Sequence, residues 1–147
     1  MSNCKRALLA SMAACLIGVT SAWGEIVVIT HRANPLTELT AEQLEKIFLR
    51  KVQTFPDGKS AVPLDIPRGK LRDAFYAHIT GGKNNSQLRA YWSKVVFTSG
   101  GKPPQEVLSE QEAVGIVQRN TNYIAYVERE QANNLVKVVY SLAEPKL

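Results

Sequence analysis

Arg68, Gly69 and Lys70 offer the clearest chemistry in the chain: two cations around a glycine, placed between an alternating strand pattern and a helical one. A helix start presents unsatisfied N–H groups and the positive end of the helix dipole, and both favour an anion. The glycine lets the backbone approach an oxyanion closely, and the flanking cations add Coulomb attraction. Arg72, one turn further on, either joins them or pairs with Asp73 or solvent. A second group lies in the Gly-rich stretch over residues 98–102, where Thr98, Ser99 and Lys102 supply hydroxyls, flexible backbone and another cation. His31, Arg32 and Asn34 leave the first apolar run and form a third wall if all three loops share one edge of a sheet. Ligands of open α/β sheets favour the carboxyl ends of the strands, where such loops lie. The plainer readings of the three stretches are a helix start, a Gly-rich linker and a solvated loop.

Catalysis finds little support in the residue types. His31 and His78 are the two histidines. His78 falls on the apolar face of a predicted helix, where a packed core histidine is expected, and His31 has no evident partner for general-base work. No H-E-x-x-H or G-x-S-x-G pattern occurs. The carboxylate pairs Glu42 and Glu45, and Glu110 and Glu112, sit in first turns of predicted helices, where acids serve the dipole. The expectation is a protein without catalytic residues, metal site or cofactor.

The elements that must position these residues follow from periodicity. Residues 26–29 are an uninterrupted apolar run, as in a strand buried on both faces. Thr40 with Gln43 makes a capping box, and Leu39 with Leu44 occupies the positions of a hydrophobic staple. Leu44, Ile47 and Phe48 continue one face, with Arg50 and Lys51 at the negative end of the dipole. Phe55, Pro56, Asp57 and Gly58 read as a turn. Val62, Leu64 and Ile66 alternate as a second strand, and Pro63 within it argues for an edge or a bulge.

Leu71, Ala74, Phe75, His78 and Ile79 make one face of a helix over residues 70–80, which Gly81 and Gly82 can end. Asn85 or Ser86 caps a third helix carrying Leu88, Tyr91, Trp92, Val95 and Val96, before residues 97–104 break into the Gly-rich loop. A brief strand near Val107 comes next. A second capping box, Ser109 with Glu112, opens a fourth helix with Ala113, Ile116 and Val117 inward, and Asn120 can end it. Residues 124–127 and 135–140 are the last strands. The fold class is therefore α/β, with about five strands and about four helices in layers.

Residues 1–24 have the features of a secretory signal. Lys5 and Arg6 precede an uncharged stretch of 13 residues, too short for a permanent span of ~20. Cleavage after Ala22 or after Gly24 fits the small residues, and the second is preferred because Glu25 then begins just before the first strand. Residues 12–15 make a poor lipoprotein signal. Both cysteines, Cys4 and Cys15, fall in the segment to be removed, which excludes thiol catalysis and cysteine-ligated metal. The expected product, residues 25–147, is 123 residues long, enough for one domain, and is expected to be periplasmic. It carries a net charge of +3, divided into +7 over residues 50–102 and −4 elsewhere. That division suggests a positively polarised surface region. Nucleic acid is excluded as a partner by export and by the lack of a binding motif.

Several of these stretches together resemble a known family. They are Asn34-Pro35, the run over residues 39–48 of the form LTxEQLxxIF, the Phe55–Gly58 turn, a strand ending at Pro67, and Arg72-Asp73-Ala74-Phe75 in the following helix. Residues 123–127 and 136–139 continue the likeness. The set is similar to the second lobe of phosphate-binding proteins of ABC transporters, in the type II periplasmic binding-protein superfamily. The resemblance implies a single PBP-like lobe over residues 25–147, with a mixed sheet flanked by helices. It also implies weak binding of phosphate or a similar oxyanion, and an envelope partner that is a transporter or a sensor. The family's Ser-Gly-Thr loop should precede the helix, but Arg68-Gly69-Lys70-Leu71 stands there, one residue short and without hydroxyls. The alternative function is a non-catalytic accessory protein that keeps the lobe as a scaffold for another envelope protein.

Overall fold

The computed structural model describes residues 24–142. The expected leader, with its basic pair, both cysteines and Ala22, lies outside the described residues apart from Gly24. Five strands form one mixed sheet in the order β3-β2-β4-β1-β5. They are β1 (Ile26–His31), β2 (Val62–Asp65), β3 (Gln105–Glu106), β4 (Tyr123–Glu128) and β5 (Val136–Ser141). The four helices are α1 (Ala41–Phe48), α2 (Lys70–Ile79), α3 (Asn85–Ser99) and α4 (Glu110–Val117).

β1 lies between β4 and β5 and runs against both, whereas β2 is parallel to β3 and to β4. Val27, Val28, Ile29 and Thr30 are fully buried, as the apolar run predicts. The β1–β5 register slips at Val28/Ile29, which skips Val139. The Val139 carbonyl instead accepts the Leu39 N–H at 3.0 Å and so fixes the approach to α1. There the capping box forms as expected: Thr40 Oγ1 accepts from Gln43 N, and Gln43 Oε1 accepts from Thr40 N. Leu39 and Leu44 are both in the core. Lys51 pairs with Glu45 at 3.0 Å, an exposed contact rather than a dipole interaction. The Phe55–Gly58 turn closes through Gly58 N to Phe55 O at 2.9 Å, with Gly58 at φ 86°.

Pro63 is explained differently from the sequence expectation. β2 is an inner strand, not an edge. Its pairing with β3 begins only at Leu64, however, and Val62 N–H points the other way, to Asn122 O near β4. Alternation along the strand then turns the nitrogen of Pro63 toward β3's side, ahead of β3's first residue, where no ladder bond is lost.

The helices show the main differences. On α2 the buried residues are Phe75, Tyr76 and Ile79, while Ala74 and His78 are exposed. His78 is thus not a core histidine; its Nε2 meets the Tyr140 hydroxyl at 2.7 Å. The face is turned because Arg72 is drawn inward to a buried carboxylate described below. α3 is capped by Asn84, one residue before the expected position, in a reciprocal box with Gln87. It also runs on to Ser99, ending at Gly100 in the left-handed conformation. On α4, Ser109 caps as expected, but the Glu112 carboxylate reaches Leu108 N rather than the cap's own N–H.

The core centres on four fully buried rings that join α1, α2 and β4. Phe75 stacks on Tyr126 at 3.9 Å, and Phe48 meets Phe75 edge-on at 4.8 Å. Phe75→Ala is expected to cost about 3–5 kcal/mol in denaturant unfolding. Ala74→Ser, on the exposed side of the same helix, should change stability by less than about 0.5 kcal/mol.

Candidate functional site

The direction of β1 decides which candidate residues meet. β2, β3, β4 and β5 share one direction, so their carboxyl ends lie along one edge of the sheet, and β1 ends at the opposite edge. Thr30 stands opposite Ile124 and His31 opposite Val136, both at the starts of their strands. Arg32 and Asn34 are therefore at the far edge from Arg68, Gly69 and Lys70, which follow the carboxyl end of β2. The third wall does not assemble there.

Asn34 is engaged structurally. It is buried, and its Oδ1 accepts from Leu36 N at 3.0 Å. Its carbonyl accepts from Lys137 Nζ, and its Nδ2 reaches the Thr121 carbonyl at 3.5 Å. His31 Nδ1 accepts from Ala33 N at 2.9 Å, closing the turn on itself.

Thr98 and Ser99 belong to the last turn of α3 rather than to a loop. Their hydroxyls donate back to the carbonyls of Lys94 and Val95 at 2.7 and 2.9 Å, so they are spent within the helix, which ends at Gly100. Lys102 lies in the connection that enters β3 at its amino end, whereas Arg68 follows β2's carboxyl end. Of the expected set, only Arg68, Gly69 and Lys70 share one strand-to-helix junction. All three are exposed there, and Gly69 is the N-cap of α2 with no side-chain cap bond.

Beneath that junction is a polar cluster that the sequence reading did not assemble. Asp65, the last residue of β2, is buried and accepts from Arg72 Nε at 3.1 Å. Its other oxygen accepts from the Tyr126 hydroxyl, which itself accepts from Ile66 N at 3.2 Å. Arg72 continues to Asn85 Oδ1 at 2.9 Å, and Asn85 Nδ2 donates to Asp73 at 2.8 Å. The guanidinium also lies over the Tyr76 ring, 4.8 Å from its centre. The Tyr76 hydroxyl is buried and faces the same carboxylate without reaching hydrogen-bond geometry. Arg72 is thus an internal tie between β2, α2 and α3, not an arm for a ligand. The signal in the sequence was the charged Asp65 between apolar neighbours, seven residues ahead of an arginine in a helix's first turn.

Burial raises the Asp65 carboxyl above the usual aspartate range, with the Tyr126 hydrogen bond and Arg72 acting against it and Glu106 adding to it. Burial likewise pushes both tyrosine hydroxyls well up. Among the described residues, no group of three or more His, Cys, Asp or Glu side chains is placed to hold a metal ion. No helix among them is long and apolar enough to cross a membrane.

The α/β arrangement recurs in solved structures. The chain superimposes on a Clostridium perfringens protein, described as a phosphate ABC transporter substrate-binding protein and solved with bound phosphate. The TM-score is 0.63 at 24% identity, over 79% of this chain and 44% of that one. An ABC-type phosphate transport receptor from Vibrio cholerae gives 0.60 at 15% identity, over 79% and 45%. PstS from Borrelia burgdorferi gives 0.52 at 16%, over 79% and 46%. No protein-family model and no curated protein matches the chain. The fold is therefore that of one lobe of a type II periplasmic binding protein, and the chain spans less than half the length of these structures.

The raised Asp65 pKa has a definite sign. A carboxyl that holds its proton more tightly when folded adds stability below its unfolded pKa, near the ordinary 3.8, and loses it as pH rises through the raised value. Thermal melts across that window should show the wild type losing stability relative to Asp65→Asn as pH increases, with the gap constant above it. Parallel pH profiles for the two proteins would contradict the assignment.

Proposed function

We propose that this chain is an envelope solute-binding lobe that takes phosphate or a similar oxyanion weakly at the β2–α2 junction, for a transporter or a sensor. Export through a leader removed before Glu25 is part of the proposal. The carrying observation is the junction itself. Gly69 leaves the start of a ten-residue helix without a side-chain cap, and Arg68 and Lys70 flank it. The first-turn amides, the dipole and two cations thus meet at one place.

The site contains no hydroxyl donors, and it lies open along the sheet edge with all three of its residues exposed. Exposed cations act through high-dielectric solvent and contribute little each. The expected dissociation constant for phosphate is on the order of millimolar. The accessory reading, in which the lobe serves only as a scaffold for another envelope protein, is favoured by one observation. Arg32, Asn34, Thr98, Ser99 and Lys102 do not converge on the junction.

Phosphate separates the two readings. At ten times the dissociation constant, binding should raise the melting temperature by about 5 °C. Potassium chloride at matched ionic strength should not, and the paired substitutions Arg68→Ala and Lys70→Ala should abolish the shift. A protein indifferent to phosphate, or a shift that survives both substitutions, would remove the oxyanion reading.

A further inference from the structure

The outer face of α3 presents an aromatic side chain to water. Leu88, Tyr91, Trp92 and Val95 set the inward side of this helix. At ~100° per residue, Phe97 falls almost opposite them. It is 91% exposed, and Val96 beside it is 51% exposed. A phenylalanine this bare on a well-formed helix has no role in the fold of the chain.

The charges on its own helix are of one sign. Arg89 and Lys94 flank Phe97 on the outer side and are exposed, and Ala90 and Ser93 keep the surface between them low. From residue 74 to residue 105 there is no aspartate or glutamate, while Lys83, Arg89, Lys94 and Lys102 all carry positive charge. A second copy of this face would be repelled. A protein partner must match a fixed shape over roughly 800 Å² per side, with several anchors. Here the apolar protrusion is a single turn. A lipid surface needs only a wedge and a field of cations, because it deforms around the ring and answers to summed charge.

We propose that the outer face of α3 docks on anionic phospholipid, with Phe97 inserted at the acyl boundary and Arg89 and Lys94 against the headgroup phosphates. The proposal does not depend on the oxyanion site at the β2–α2 junction. It adds a place of work: the lobe lies on a membrane through one helix while the carboxyl edge of its sheet stays available.

The test uses the full chain with Cys4→Ser and Cys15→Ser, and an environment-sensitive fluorophore on Ser93→Cys, in the middle of the face. Vesicles of phosphatidylcholine alone are compared with vesicles also containing phosphatidylglycerol. The leader's Lys5 and Arg6 also favour anionic lipid, so the comparison that isolates α3 is between the unaltered face and its variants on the same vesicles. The label should shift to the blue only with phosphatidylglycerol and return in high salt. Phe97→Ser, and separately Arg89→Glu with Lys94→Glu, should weaken the response on the order of tenfold. Unchanged thermal melts would show that these exposed substitutions leave the fold intact. Equal responses on the two lipids, a response indifferent to Phe97, or no response at all would overturn the proposal. The last result is also what an acidic protein partner would give.

Discussion

β1 runs between β4 and β5 and against both, and the chemistry available to this lobe depends on that one reversal. In a sheet whose other strands are all parallel, every exit loop except β1's opens on the same edge. The reversed strand places Arg32 and Asn34 at the far end, where Asn34 becomes a structural hub for Leu36, Thr121 and Lys137. What remains on the carboxyl edge is the β2–α2 junction. Of the candidate cations, Arg68 and Lys70 are the two that stand at that helix start.

The junction is held from below by Asp65. A carboxylate buried at the end of an inner strand is costly unless it is paired and hydrogen-bonded. Arg72 and Tyr126 meet that requirement, and the Arg72 contact also bears on how α2 is rotated. Drawing Arg72 inward brings Phe75, Tyr76 and Ile79 onto the core and leaves Ala74 and His78 outside. The same arginine extends to Asn85 at the start of α3. A single charge pair therefore ties three elements, β2, α2 and α3.

Local signals were legible in the sequence and non-local ones were not. The Thr40–Gln43 box, the Phe55–Gly58 turn, the glycines after α2 and the strand existence all rest on contacts within a few residues, and all of them form. The direction of β1 rests on pairing with strands about a hundred residues away, which periodicity does not encode. The expected and observed faces of α2 share Phe75 and Ile79, and they differ by Tyr76, which lies inward on the side where Arg72 meets Asp65. Thr98 and Ser99 read as loop because hydroxyls before paired glycines favour turns, yet each bonds back to its own helix and α3 continues. Asp65 sits between Leu64 and Ile66, on the opposite face of the alternating pattern. It is buried because β2 is an inner strand rather than an edge.

The central claim is that any oxyanion contacts this lobe only at the β2–α2 junction. Amide chemical shifts of isotopically labelled protein, followed through a phosphate titration, test it residue by residue. The account predicts saturable shifts confined to Gly69, Lys70 and the next residues of α2, with Arg32, Asn34 and Lys102 unmoved. Saturable shifts at Arg32, Asn34 or Lys102 matching those of Gly69, or at those residues alone, would contradict it.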